Sequence, residues 1–337
     1  MKNVIIVVEP EGPEEWFAPL EEVGELRFHY PDGPIGPEQV DGFVDEADCL
    51  VITSATAIGN AQLRNAKRLK LIAKCGGAPS NIDVSYAAKC GIATSCVPGA
   101  NTTSIAEYTV MLLISTLRKY CSHTEAIRGG GWRTDALLGR DIGDCTIGIV
   151  GLGAIGSAVL RMLQPFGCRV LVNSPHADKS AYAGQCVFYD DIEEMLPLCD
   201  AVTVHSKVTP RNREFFNERL FSLMKKGAIF VNTARGALVD ENALARALNC
   251  GKLSAAAIDV FQTEPPSSDN PLLQCPNAII TPHSSGWTLD ALKRECDGAV
   301  RSILAYFKGE SIPGLLDPSY INYSGTASLR QKSLSLQ

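Results

Sequence analysis

The hexapeptide GLGAIG at 151–156 stands between two apolar runs, TIGIV (146–150) and RVLVN (169–173), and the helix-periodic AVLRMLQPF follows it directly. This order reads as strand, turn, helix, strand. Each glycine then has its own mechanical part. Gly151 makes the tight turn, Gly153 lets backbone approach a pyrophosphate, and Gly156 lets the helix pack closely on the sheet. The helix start at Ala154 and Ile155 would offer N–H groups and a positive dipole end to an anion. A dinucleotide site is implied, and with it a parallel sheet.

Short apolar runs alternate with helical patterns along the whole chain, the pattern of parallel sheets covered by helices on both faces. The first set is NVIIVV (3–8), ELRFHY (25–30), CLVIT (49–53), LKLIAK (69–74) and IATSCV (92–97), with helices such as EEWFAPLEEV and VSYAAKC between them. The second set is TIGIV, RVLVN, AVTVH (201–205), AIFVN (228–232), SAAAID (254–259) and AIITP (278–282). A helix over 101–127, capped by Asn101 and Thr102, is expected to connect them. After Trp287 a second long amphipathic helix is expected to return the chain to the first domain. The expected fold is α/β, with two doubly wound parallel-sheet domains. A Rossmann-type dinucleotide domain (101–288) is inserted into a flavodoxin-like substrate domain (1–100 and 289–322). The Ser-rich tail 323–337 is expected to be mobile.

The 337 residues, 45% of them hydrophobic, suffice for two cores. A net charge of −6 without a basic tract argues against nucleic acid as a partner. No stretch has the length of a membrane span, and the first apolar run is too short for a signal peptide, so the expected location is the cytoplasm. The twelve cysteines are scattered singly, which suits buried thiols in a reducing compartment and gives no reason to expect a metal site.

In an open doubly wound sheet, ligands bind beyond the carboxyl ends of the strands, so polar residues that follow apolar runs are the candidates. In the second set these are His205, Thr233 to Arg235, Asp259 and His283. Arg235, ahead of a glycine and a helix start, could grip a planar carboxylate with two parallel hydrogen bonds. His283 lies between Pro282 and SSG. Glu264, held in a stiff loop by Pro265 and Pro266, could aim at it. A carboxylate bonded to an imidazole stabilises the imidazolium, which suits a group that donates and accepts a proton. Spacing alone leaves open a solvated glutamate and a structural histidine.

The segments GGAPSNID, PGANTTSIAEYT, GLGAIG, MKKGAIFVNTARGALVDE, IDVFQTEPP and TPHSSGWT together resemble those of the D-isomer-specific 2-hydroxyacid dehydrogenase family, from about Leu69 to Thr288. That resemblance implies hydride transfer between a nicotinamide and C2 of a 2-oxo or 2-hydroxy acid, mainly as a 2-oxoacid reductase. It implies that Arg235 binds the substrate carboxylate and polarises the keto oxygen, that His283 is the proton donor and acceptor, and that Glu264 is its partner. Gly77 and Ala78 would hold the carboxylate through backbone N–H groups, and Asp259 would sit beside the nicotinamide. A homodimer built around the helix at 101–119 is implied as well. The alternative is a nicotinamide-sensing, co-repressor-like binding protein of the same fold. Glutamine replaces Glu264 in the formate dehydrogenases of this fold, so formate chemistry is disfavoured.

Several positions depart from the common pattern. Folds that prefer NAD place an acidic residue about twenty positions after the glycines, where this chain has Ser174. With His176 and Lys179 near and Asp178 against them, the local charge favours NADP slightly over NAD. Lys207 stands where proline is common in the family. Lys74, where phosphoglycerate dehydrogenases often have arginine, is either a cation for a distal anionic substituent or a solvated strand-end lysine. Trp132 and Arg133, in a glycine-rich loop, are expected to be structural.

Overall fold

In a computed structural model, which describes residues 2–31, 33 and 35–323, the chain divides into two compact units, Met1–Asn101 with Thr288–Gln337, and Thr102–Trp287. The tail expected to be mobile lies, from residue 324 on, outside the described residues.

The first unit holds five parallel strands, β1 (Asn3–Val8), β2 (Gly24–His29), β3 (Cys49–Ile52), β4 (Leu71–Lys74) and β5 (Ala93–Ser95), in the order β2-β1-β3-β4-β5. Every residue of β3, β4 and β5 is buried, as expected of strands covered on both faces. Helices α1 (Pro37–Glu46), α2 (Asn60–Asn65) and α3 (Val84–Lys89) follow β2, β3 and β4. The segment EEWFAPLEEV, expected as one helix, forms two 3-10 turns, Glu14–Trp16 and Ala18–Glu22. Pro19 lacks the N–H an α-helix would use there, and i→i+3 bonds such as Leu20 N–H to Phe17 O close the turns.

The second unit begins with α4 (Thr102–Leu117) and α5 (Tyr120–Arg128), where a single helix over 101–127 was expected. Arg140 N–H caps the end of α4 by donating to Leu117 O (2.9 Å), and Lys119 turns the chain with φ 51°. A Cβ on Gly139 would stand 2.8 Å from Leu117 O, so a glycine lets that returning loop close on the helix end. The seven parallel strands are β6 (Thr146–Val150), β7 (Arg169–Asn173), β8 (Val187–Phe188), β9 (Ala201–Val204), β10 (Ala228–Asn232), β11 (Leu253–Ile258) and β12 (Ala278–Ile280). Their order is β12-β11-β10-β9-β6-β7-β8, reversing between β6 and β9, the kind of point where open sheets bind ligands. The two-residue strand β8 has no alternation for a sequence to reveal.

Helices α6 (Ala154–Leu163), α7 (Ile192–Met195), α8 (Glu218–Leu223) and α9 (Glu241–Asn249) cover this sheet. Helix α10 (Leu289–Lys308) then rejoins the first unit, packing on β4 and closing at Gly309 with φ 71°. The fold is therefore α/β with two parallel sheets, the second inserted into the first. Among the described residues no helix is long and apolar enough to cross a membrane.

Candidate active site

The glycine turn follows β6 and has the shape a pyrophosphate requires. Gly151 adopts φ 96°, and a Cβ there would stand 2.9 Å from the His205 carbonyl. A Cβ on Gly156 would lie 2.1 Å from Gly151 O, whereas one on Gly153 would meet open space. Side chains are thus excluded where the turn closes, and the backbone is open where an anion would approach the first turn of α6. Ala154 and Ile155 form that first turn. Ser174, just past β7, accepts Leu152 N–H on its hydroxyl oxygen at 3.1 Å, tying the second strand end to the turn. Lys179, expected near the same place, is drawn to Asp190 at 2.6 Å, while His176 is exposed.

His205 backs this turn. Its N–H donates to Val150 O (2.7 Å), and its Nε2 pairs with Thr203 Oγ1 (3.1 Å). Burial pushes the imidazole down to about 3, so it stays neutral, and its buried Nδ1 has no partner among the described residues.

The remaining candidates gather at the carboxyl ends of β10, β11 and β12, three adjacent strands. Asn232, the last residue of β10, accepts Ala234 N–H on Oδ1 and donates from Nδ2 to Arg235 O, both at 3.0 Å. That clamp sets the start of the Arg235 loop. Arg235 is exposed, with Nη1 donating to Ala234 O (2.6 Å). Thr233 is buried, its hydroxyl 2.8 Å from that of Thr109 in α4. Gly236 lies directly on the next strand end: a Cβ there would stand 1.9 Å from the Phe261 carbonyl carbon. Gly236 in this way seats the loop that bears Arg235 on the segment that leads to Glu264.

Glu264 bridges two segments. Oε1 accepts Phe261 N–H (3.0 Å), and Oε2 lies 2.7 Å from His283 Nδ1. The sequence-predicted pair is therefore a direct contact. His283 Nδ1 is engaged by the carboxylate, which leaves Nε2 for a substrate.

His283 has φ 52°, a left-handed conformation costing a β-carbon-bearing residue on the order of 1 kcal/mol or more. Asp259 holds it there. This residue is fully buried, and its Oδ1 accepts Thr281 Oγ1–H (2.7 Å) and Ser284 N–H (2.8 Å), while Oδ2 accepts Ser285 N–H (2.9 Å). Its own carbonyl accepts His283 N–H (2.7 Å), and its N–H donates to Asn232 O (3.0 Å). Asp259, expected beside a nicotinamide, thus spends its carboxylate on the turn that bears His283. Asn232, Thr281 and the Ser284–Ser285 pair went unremarked in the sequence, although their places at strand ends were a usable signal.

In the first unit, Gly77 and Ala78 are half-buried, and neither N–H donates to an acceptor among the described residues. Lys74 is not solvated: it is 1% exposed, and its Nζ donates to Asn81 Oδ1 at 2.5 Å. Trp132, expected to be structural, is 69% exposed, with Arg133 over its ring.

The family model described as the D-isomer specific 2-hydroxyacid dehydrogenase NAD binding domain matches residues 110–285. The chain is 36% identical to D-3-phosphoglycerate dehydrogenase of Methanocaldococcus jannaschii over 307 residues, covering 91% of this chain and 58% of that protein. It is 34% identical to a formate dehydrogenase of Arabidopsis thaliana, covering 90% of this chain and 79% of that one. A crystal structure of a Thermus thermophilus protein superposes with a TM-score of 0.85 at 32% identity, covering 93% of this chain and all of the other. D-lactate dehydrogenase of Aquifex aeolicus, solved with NAD and lactic acid, gives 0.80 at 26% identity, over 91% and 96% of the two chains. The chain belongs to the D-isomer specific 2-hydroxyacid dehydrogenase family.

Proposed function

We propose that the chain is an NAD(P)-dependent D-2-hydroxyacid dehydrogenase acting mainly as a 2-oxoacid reductase. The observation that carries this reading is the Glu264–His283 contact at 2.7 Å, set beside Arg235 at the ends of three neighbouring strands. Arg235 grips the substrate carboxylate and polarises the keto oxygen, as a planar fork of donors can. His283 gives a proton from Nε2 to the oxygen at C2 and recovers it in the reverse direction, with Glu264 holding Nδ1. Gly77 and Ala78 supply N–H groups to the carboxylate from the first, substrate-binding unit, and Lys74 belongs to the same subsite.

Gly151, Gly153, Ala154, Ile155 and Gly156 would hold the pyrophosphate of the dinucleotide, and Ser174 the adenosine ribose. Thr233, Asp259 and His205 shape the rest of that site from behind. When bound, the nicotinamide supplies or accepts the hydride at C2. Ser174 brings no carboxylate to repel a 2′-phosphate, which favours NADPH slightly, although Lys179 is already paired with Asp190.

Glu264 in place of glutamine sets this chain apart from formate chemistry, despite the likeness to a formate dehydrogenase. The protein works as a homodimer built around the helix at 101–119, where Met111 of α4 is an exposed large apolar side chain. None of the twelve cysteines forms a disulfide among the described residues, which fits the reducing cytosol.

The test is a steady-state panel of 2-oxo acids run with NADH and NADPH on the wild type and His283→Ala. Turnover of at least one acid, lowered about 10²–10⁴-fold in the variant with cofactor affinity retained, supports the assignment. Unchanged turnover in His283→Ala overturns the role given to the histidine. No oxidation of either cofactor favours a sensor.

A further inference from the structure

The loop that leaves β9 closes against the glycine turn. Val204, the last residue of β9, pairs with Val150 of β6, and Val150 pairs with Asn173 of β7, so three strand ends stand in one row. The glycine turn rises from the middle one, and Ser174 and His205 flank it about 10 Å apart, two strand spacings. A Cβ on Gly151 would meet Ser206 Oγ at 2.7 Å. Beyond Ser206 the segment 207–212 folds back on itself. Asn212 Nδ2 donates to Lys207 O (2.8 Å), and Asn212 Oδ1 accepts Thr209 N–H (2.6 Å). The chain then departs toward the Arg235 loop, with Glu214 N–H on Ala237 O (2.8 Å).

This closed loop carries Lys207 and Arg211, both exposed, and neither side chain has an acidic partner among the described residues. The segment SKVTPRNR (206–213) holds no Asp or Glu. On the far side of the turn the charges are already engaged. Lys179 Nζ lies on Asp190 at 2.6 Å, and Asp178 Oδ1 accepts the Ser180 N–H (3.0 Å) and hydroxyl (2.6 Å). Ser174 is uncharged; its oxygen accepts Leu152 N–H, and its own hydroxyl hydrogen stays available to a ligand. The strand end assigned to the adenosine ribose therefore lacks a carboxylate, and unpaired cations stand past β9 instead.

We propose that Lys207 and Arg211, on the loop after β9, read the 2′-phosphate of NADPH, in place of His176 and Lys179 after β7. A phosphate monoester satisfies both cations at once, the guanidinium fork on two oxygens and the ammonium on a third. Proline, common in the family where Lys207 stands, has neither the charge nor an N–H to offer. NADH leaves both cations in water as they are, so the loop adds affinity for NADPH without opposing NADH. The inference deepens the proposed function and rests on the glycine turn holding a dinucleotide.

Fluorescence titration in the absence of any 2-oxo acid gives Kd for NADPH and NADH in the wild type, Lys207→Ala, Arg211→Ala, the double variant and Lys179→Ala. The wild type is expected to bind NADPH about tenfold or more tighter than NADH. Each single variant of the loop should weaken NADPH about three- to tenfold and the double variant should remove the preference, with NADH and Lys179→Ala changing by less than about twofold. Added salt should weaken NADPH more than NADH. Both replaced side chains are exposed, so the variants keep the fold. A wild type that binds NADH as tightly as NADPH, a preference that the double variant retains, or one lost in Lys179→Ala overturns the inference, while turnover of a 2-oxo acid with either cofactor leaves the reductase reading standing. Binding of neither cofactor removes that reading, and this inference with it.

Discussion

Gly236 has no room for a methyl group, because a Cβ there would sit 1.9 Å from the Phe261 carbonyl carbon and 2.4 Å from Gln262 N. The obstacle is backbone, which cannot swing aside as a side chain can. Gly236→Ala should therefore part the Arg235 loop from the segment carrying Glu264, and a shift near 1 Å in a reacting group can cost about 100-fold in rate. The expected outcome is a fall of that order in kcat/KM with little change in cofactor affinity, read by steady-state kinetics and fluorescence titration. Arg235→Lys, by contrast, keeps the charge and loses the fork, so KM should rise about tenfold or more with the fold intact. Single residues were unevenly legible in the sequence. Arg235 and His283 stood out because each follows an apolar run, and Glu264 because a proline pair follows it. Asp259 also stood out, yet its bonds to Thr281, Ser284 and Ser285 depend on how the next strand returns, which no spacing states.

At the scale of elements, α4 braces the ends of two strands at once. Thr109 meets the Thr233 hydroxyl at 2.8 Å and also donates to Ile105 O, while Tyr108 OH lies 3.2 Å from Ser284 Oγ. One helix thus touches both the Arg235 loop and the His283 turn. Thr109→Val keeps the shape and strands a buried Thr233 hydroxyl, at a cost of about 1–3 kcal/mol, so thermal denaturation should shift down by several degrees. Tyr108→Phe should cost less, since Ser284 is only half-buried. A drop in kcat in both variants larger than the stability loss explains would mark α4 as a positioning element. The sequence announced this helix through its apolar spacing but ran it on to 127. Its true end is set by Gly139 and Arg140, some twenty residues away in the chain, and helical periodicity cannot see a cap that arrives from elsewhere.

Across the whole molecule, the two sheets use one anchoring device. Asp48 precedes β3, and its Oδ2 accepts Val4 N–H (2.9 Å) from β1 as well as the Arg68 guanidinium, with Lys70 on the other oxygen. Asp200 precedes β9, and its Oδ2 accepts Thr146 N–H (2.9 Å) from β6, with Arg140 and Lys225 on Oδ1. The apolar strands were plain in the sequence, because buried parallel strands read as continuous apolar runs. These two aspartates were not, since an acidic residue ahead of a strand looks like any loop residue. Burial works against the Asp200 carboxylate, yet Lys225, Thr146 N–H and Arg140 outweigh it and hold it down to about 2, below the ordinary 3.8. A depressed carboxylate stabilises the fold above its unfolded value and loses that contribution as pH falls from about 3.8 through about 2. Both cations are half exposed, so screening trims the contribution to between about 1 and 2 kcal/mol at neutral pH. His205 adds to acid sensitivity over a higher range. Its folded value near 3 lies below the ordinary 6.5, so the unfolded chain takes up a proton first and stability falls as pH drops through that interval. Denaturant melts at stepped pH separate the two groups. Asp200→Asn should lower stability at pH 7 and flatten the curve below pH 4, whereas His205→Gln should flatten it between about pH 6 and 4. A wild-type curve level from pH 7 to 4 would show that the imidazole behind the glycine turn is free to take a proton in the folded protein.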